Sequence, residues 1–212
     1  MAPDLSSLID PSHTALVTQE CQDGVIGDRS PLPALAEAAR NGLIPNTAAL
    51  LTAARAAGVP VVHCLALRRA DGRGANRNAR LFMALRATEA PLVPGSPQAG
   101  LAAGLEADDS DFVLSRYHGL SPMAGTDLDP VLRNLGVRTI VGVGVSVNVG
   151  ITNFVMDAVN RGYQLVLPRD AVAGVPREYA EAVIENTLSL LATVTTTRAV
   201  LDAWHGHAST RG

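Results

Sequence analysis

The hydrophobic and polar positions change period several times along the chain, and most abruptly within residues 139–163, TIVGVGVSVNVGITNFVMDAVNRGY. Thr139–Val145 is a continuous Val/Ile run with glycine spacers, the pattern of a central parallel strand covered on both faces. Ser146–Val149 breaks the run as a sharp turn, and residues 150–161 resume at helical spacing. Gly162 follows where a left-handed helix cap is wanted. In open α/β sheets, ligands bind beyond the carboxyl ends of the strands, often at a helix N-terminus. Residues 146–150 are therefore the first candidate site.

Further strand-length apolar runs lie at 13–20, 59–67, 111–116, 164–168 and 192–196. Helical spacing appears at 45–57, ended by Gly58, and at 127–135, closed by Gly136. Thr126 caps the second of these, and its early acids suit the helix dipole. Longer helical stretches follow at 178–191 and 198–204, with shorter ones at 35–39, broken by Asn41-Gly42, and at 81–85. Asp23-Gly24 reads as a turn. Residues 28–33, 68–80, 91–104, 117–125 and 170–174 read as loops, and the tail from His205 as frayed. There is no repeat and no interdomain linker. Strands alternating with helices imply one α/β domain over residues 1–212, with its core at about 13–204 and a parallel sheet.

Composition narrows this reading. The chain has 212 residues and 47% hydrophobic content but only 3% aromatic, so the core is built from Ala, Val and Leu. A net charge of −3 and a pI of about 5.9 leave no electrostatic footprint for nucleic acid. No apolar run reaches membrane-spanning length, and the N-terminus lacks the pattern of a signal peptide. Cys21 and Cys64 have no metal-ligand spacing and fall in apolar runs, which suits a reducing, cytoplasmic setting.

The segments ALVTQECQDG, GVPVVHCLAL, DFVLSRYHGLSPMAGTDLDPVLRNLGV and TIVGVGVSVNVGITNFVMDAVNRGYQLVLPRDAVAG together resemble the isochorismatase-like (cysteine hydrolase) superfamily. The resemblance covers roughly residues 13–200. It implies a three-layer α/β/α fold with a mostly parallel central sheet, and a homodimer or homotetramer. It also implies a cis peptide at Val145–Ser146, where the turn with Val149 would help form an oxyanion hole. Members place Asp, Lys and Cys at the ends of the first and third strands and at the helix after the central strand. Here Glu20, Arg116 and Gly150 stand at those positions, with Tyr117 one residue beyond the second.

A glycine has no side chain with which to attack a carbonyl, so the thiolate mechanism cannot run from position 150. The isochorismatases proper also lack this cysteine. They protonate a vinyl ether and add water, which needs a carboxylic acid and no nucleophile. Glu20 is the expected acid. An arginine beside it stabilises the carboxylate, whereas burial favours the neutral acid. Arg116 cannot deprotonate and can only bind an anion or orient the acid. His118 is an alternative acid–base residue in a bordering loop.

Gln22, beside Glu20, is a candidate substrate contact, as are Arg68 and Arg77 of the basic loop, since arginine forks match carboxylates. Ser146 and Asn148 are polar in an otherwise apolar turn, and Asn148 sits at a helix-capping position. The Val149 and Gly150 amides are expected to point into the site. Gly150 reads as space for substrate. In the family's nicotinamidase branch a metal is held after the second strand, but Ala66 and Arg68 fall at the first two ligand positions, so no metal and no other cofactor is expected. Alternation along the first strand sends Cys21 away from Glu20 into the core, where Cys64 and His63 also belong. The sequence thus predicts a hydrolase without a cysteine nucleophile, acting by acid–base chemistry on a small anionic molecule. The alternative is a catalytically inactive scaffold on the same fold.

Overall fold

The computed structural model describes residues 4–86 and 92–209. Its strands are β1 (Thr14–Gln19), β2 (Val61–Ala66), β3 (Phe112–Arg116), β4 (Thr139–Val145), β5 (Gln164–Pro168), β6 (Val172–Ala173) and β7 (Thr193–Thr195). They form one sheet in the order β3-β2-β1-β4-β5-β7, and every pairing of these strands is parallel. β5 pairs with the first half of β4 and β6 with its last two residues, so β4 is flanked along its length. β1 and β4 are buried at every position, as strands covered on both faces must be.

Helices cover both faces. On one lie α1 (Leu5–Leu8), α3 (Pro33–Ala38), α4 (Ile44–Ala57) and α9 (Thr197–Ser209), packed on Leu16, Val141, Val143 and Val166. On the other lie α6 (Leu128–Asn134), α7 (Thr152–Asn160) and α8 (Arg177–Asn186), packed on Ala15, Val17, Ile140 and Leu165. The architecture is the expected three-layer α/β/α sandwich. The glycine spacers of β4 have a packing role, since a side chain at Gly142 would stand 3.3 Å from the Phe154 ring of α7. Gly162, at φ 89°, provides the left-handed cap after α7.

Several boundaries differ from the sequence expectation. Asn41-Gly42 does not break a helix. Ala39–Leu43 forms a π-helical turn that joins α3 to α4, and its wider winding carries the chain through to Pro45. The helix after β4 likewise opens with a π turn, Val147–Ile151. Asp23–Ile26 is a short helix, α2, and α5 spans Arg80–Arg86. Val172–Ala173, expected as loop, is a strand because it completes the edge of β4. The helix expected over 178–191 ends at Asn186 and gives way to a 3-10 turn at Leu188–Leu190. The tail is helical to Ser209 rather than frayed from His205. Trp204, 1% exposed, anchors it by donating from Nε1 to the Ile9 carbonyl at 3.0 Å. Part of the loop expected at 91–104 lies outside the described residues.

Candidate active site

The carboxyl ends of β1, β2, β3 and β4 all open onto one cavity of about 330 Å³. Its chemical centre is the pair Glu20 and Arg116. Glu20 follows β1, its amide held by the Cys64 carbonyl at 3.0 Å. It is the non-glycine residue with positive φ, 54°, among the described residues. A left-handed conformation costs an L-residue about 1–2 kcal/mol, so the surrounding structure must enforce it. The turn throws the Glu20 side chain into the cavity and returns Cys21 to the core, where it is fully buried. Strand alternation alone therefore does not explain why the two side chains diverge.

Arg116 is the last residue of β3, in register with Ala66 of β2. β2 lies between β3 and β1, so the arginine reaches across its small terminal alanine to Glu20. Nη2 of Arg116 donates to Oε1 of Glu20. Arg116 is 6% exposed, and its Nε and Nη1 are buried with no acceptor among the described residues. It is Arg116, and not its neighbour Tyr117, that partners the acid. Tyr117 and His118 are exposed residues that also line the cavity. The His118 ring lies over Gly125, where a Cβ would come within 2.9 Å of it.

The opposite wall is the cis Val145–Ser146 peptide and the π turn that follows. Val145, Ser146, Asn148, Val149 and Gly150 all line the cavity. The Ser146 hydroxyl donates to Oδ1 of Asn148 at 2.6 Å, and Asn148 donates weakly to the Val175 carbonyl at 3.5 Å. Asn148 thus ties the turn to the next loop and does not cap the helix. The Val149 amide donates to the Ser146 carbonyl at 3.1 Å, so it is engaged within the turn and does not stand free at the cavity.

Gly150 differs most from expectation. It reads in the sequence as space for substrate, but a Cβ here would meet Nε2 of Gln19 at 2.7 Å and the Val145 carbonyl oxygen at 2.9 Å. Gln19 is wholly buried; its Nε2 donates to the Leu120 carbonyl at 3.2 Å, and Oε1 has no partner among the described residues. The volume a side chain would take at position 150 is occupied by Gln19. Sequence reading missed Gln19, although a glutamine immediately before the acid, inside an apolar strand, was a visible signal.

Two candidates lie elsewhere. Gln22 is fully buried away from the cavity, and backbone groups saturate its amide. It donates to the Ala66 and Ala99 carbonyls at 2.9 and 3.1 Å and accepts from the Ala66 amide at 2.8 Å. Gln22 therefore pins the end of β2 and does not line the cavity. Arg77 is exposed and does not line the cavity, whereas Arg68 lines it and donates to the Leu85 carbonyl at 3.0 Å. Sequence reading also missed the apolar wall: Leu32, Leu35, Leu81, Phe82, Leu85 and Leu92.

Burial pushes both thiols, Cys21 and Cys64, up to about 12, and neither lines the cavity. At the family's metal positions an alanine and a guanidinium offer no ligand, so these residues do not fit a metal. Among the described residues no cluster of three or more His, Cys, Asp or Glu could hold an ion. No described helix is long and apolar enough to cross a membrane.

The fold and this constellation define an α/β protein of the isochorismatase type. The family profile described as "Isochorismatase domain" matches residues 14–199, and the chain belongs to that family. It is similar to the uncharacterized isochorismatase family proteins YecD of Escherichia coli O157:H7 and YwoC of Bacillus subtilis. Each is 33% identical, over 102 and 76 residues, or 48% and 36% of this chain. The matches span about half (53%) and 40% of those relatives' lengths. Among solved structures, a cysteine hydrolase from Pseudomonas syringae pv. phaseolicola superposes with a TM-score of 0.80 at 26% identity, covering 98% of this chain and 100% of that one. An isochorismatase family protein from Desulfovibrio vulgaris gives 0.77 at 28%, covering 91% and 98%.

Proposed function

We propose that this protein is an isochorismatase-family hydrolase that works without a thiol nucleophile, using Glu20 as its acid–base group on a small anionic substrate. One observation carries the reading: the Glu20–Arg116 pair lines an open cavity that Gly150 also lines. Oε1 of Glu20 is the oxygen engaged by Arg116, so proton exchange with a substrate falls to Oε2. Arg116 fixes the carboxyl orientation, which general acid–base catalysis requires before any question of pKa arises. His118 is a second proton-transfer group on the same cavity. With glycine at 150 and both cysteines buried in the core, water is the group that adds to the substrate.

A panel of small vinyl ethers, amides and esters tests this. Hydrolysis by the wild type should fall by a factor of about 100 or more in Glu20→Gln, the scale of a lost general acid. It should survive in Cys21→Ala and Cys64→Ala. Turnover unaffected by Glu20→Gln would sink the reading.

The ion pair also supports a second reading, a non-catalytic binding or oligomeric scaffold, because a carboxylate locked to a guanidinium is what a retired site retains. The open cavity beside the pair favours the enzyme.

A further inference from the structure

The charges on the cavity wall sum to a sign. Among the described residues, its formally charged side chains are Glu20, Arg68 and Arg116, a formal net charge of +1. Glu20 engages Nη2 of Arg116. Arg116 lines the cavity as a largely buried guanidinium, and a buried positive charge favours an anionic ligand. A single negative charge neutralises the wall, whereas a second would face Glu20.

The rest of the wall says what the ligand's body is made of. It is built from Leu32, Leu35, Leu81, Phe82, Leu85 and Leu92. Two of the polar groups beside it are already committed. The Ser146 hydroxyl is given to Asn148, and Oδ1 of Asn76 takes the Gly119 amide at 2.9 Å. A sugar or other polyhydroxylated body would lose its water against the leucines and Phe82, whose side chains offer no donors in return. At about 30 Å³ per water-sized group, 330 Å³ holds about ten non-hydrogen atoms.

We propose that the cavity takes an amphiphilic carboxylic acid as its monoanion, with the carboxylate toward Arg116 and Arg68 and an aryl or branched-alkyl body against the leucines and Phe82. This deepens the proposed function and rests on the same cavity being the substrate site.

Calorimetric titration of the intact protein at pH 7 reads binding without turnover. The probes are 3-phenylpropionate, its neutral amide 3-phenylpropanamide, propionate, and the dianion benzylmalonate. 3-Phenylpropionate should bind saturably, and each of the others about tenfold or more weaker, the scale of one lost charge-assisted contact or a lost apolar body. Phe82→Ala should weaken 3-phenylpropionate, and Arg116→Gln should erase its advantage over the amide. Should Arg116→Gln fail to fold, Arg68→Gln serves instead: it should weaken the acid severalfold and leave the amide unchanged. No saturable binding of the acid, an amide that binds as tightly, or a preference for benzylmalonate would each overturn the proposal. Acid binding with no Glu20-dependent hydrolysis would sink the enzymatic reading alone. Glu20-dependent hydrolysis of a neutral or polyhydroxylated substrate, with no acid preference, would sink this one alone.

Discussion

At the scale of single residues, the contact between Gly150 and Gln19 ties the site together. A methyl at 150 would stand 2.7 Å from a side-chain nitrogen and 2.9 Å from a backbone oxygen, and the backbone cannot easily retreat. Gly150→Ala should therefore cost about 1–3 kcal/mol by overpacking. Gln19→Ala removes the nearer obstacle, so the double variant should be less destabilised than the sum of the singles. Urea denaturation of the four proteins in a double-mutant cycle measures that coupling, and additive effects would show that the two residues do not compete for the space. Single residues were also where the sequence was least legible. Glu20, Arg116 and Gly150 were found by position in the chain, but that Gln19 fills the gap at 150 depends on the β1–β4 register, which pairs Gln19 with Gly144. Gln22 looked like a substrate contact because it is polar and adjacent to the acid. Only the fold shows that β2 uses up its amide.

At the scale of elements, strands were easier to read than helix ends. A continuous Val/Ile run can hardly be anything but a buried strand, and β1, β2, β4 and β5 emerge close to expectation. The two π turns have no such signature, since a single widened turn leaves the apolar period almost unchanged. The exposed edge of β3 is held by a network that the sequence also hid. Arg55 of α4 donates to both oxygens of Asp111, at 3.3 and 2.6 Å, and His63 of β2 lies 3.1 Å from Oδ2. Burial raises Asp111, but the bonds from Arg55, the Asp108 amide and His63 outweigh it and hold the carboxyl below its usual range. Burial likewise keeps His63 low and neutral. An ionised Asp111 only accepts, which places the imidazole proton on Nε2 and leaves Nδ1 to accept from the Thr18 hydroxyl at 3.0 Å. Both groups bind protons less readily folded than unfolded, so both lose stability on acidification. The His63 contribution fades as pH falls below about 6.5, and that of Asp111 below about 3.9. Asp111→Asn should cost about 2 kcal/mol at pH 7, with the gap to wild type narrowing towards pH 3. Chemical melts across that range test it, and a constant gap would assign the network no pH role.

At the scale of the whole molecule, layer order and sheet type were legible because they follow from alternation of strand and helix patterns. The cavity's character was not, because its apolar wall is drawn from segments far apart in sequence: Leu32 with α3, α5, and Leu92. The division of the core into two leaves also decides thiol behaviour. Cys21 belongs to one apolar cluster and Cys64 to the other, and both are shielded from solvent. With each thiol near 12, about one in ten thousand is ionised at pH 8. Native protein should resist iodoacetamide at that pH over a time in which urea-unfolded protein is fully alkylated at both positions. Mass spectrometry of the two samples reads the difference, and rapid native labelling would place a thiol outside the core.

The seating of Gln19 against Gly150 also governs which side chains position 150 can accept. A cysteine there would meet the Gln19 amide and the Val145 carbonyl before it could do any chemistry. Gln19 must yield first, at a loss of its own bond to Leu120. Positions 19 and 150 thus share one volume, which the longer side chain at 19 fills and the glycine at 150 leaves open to it.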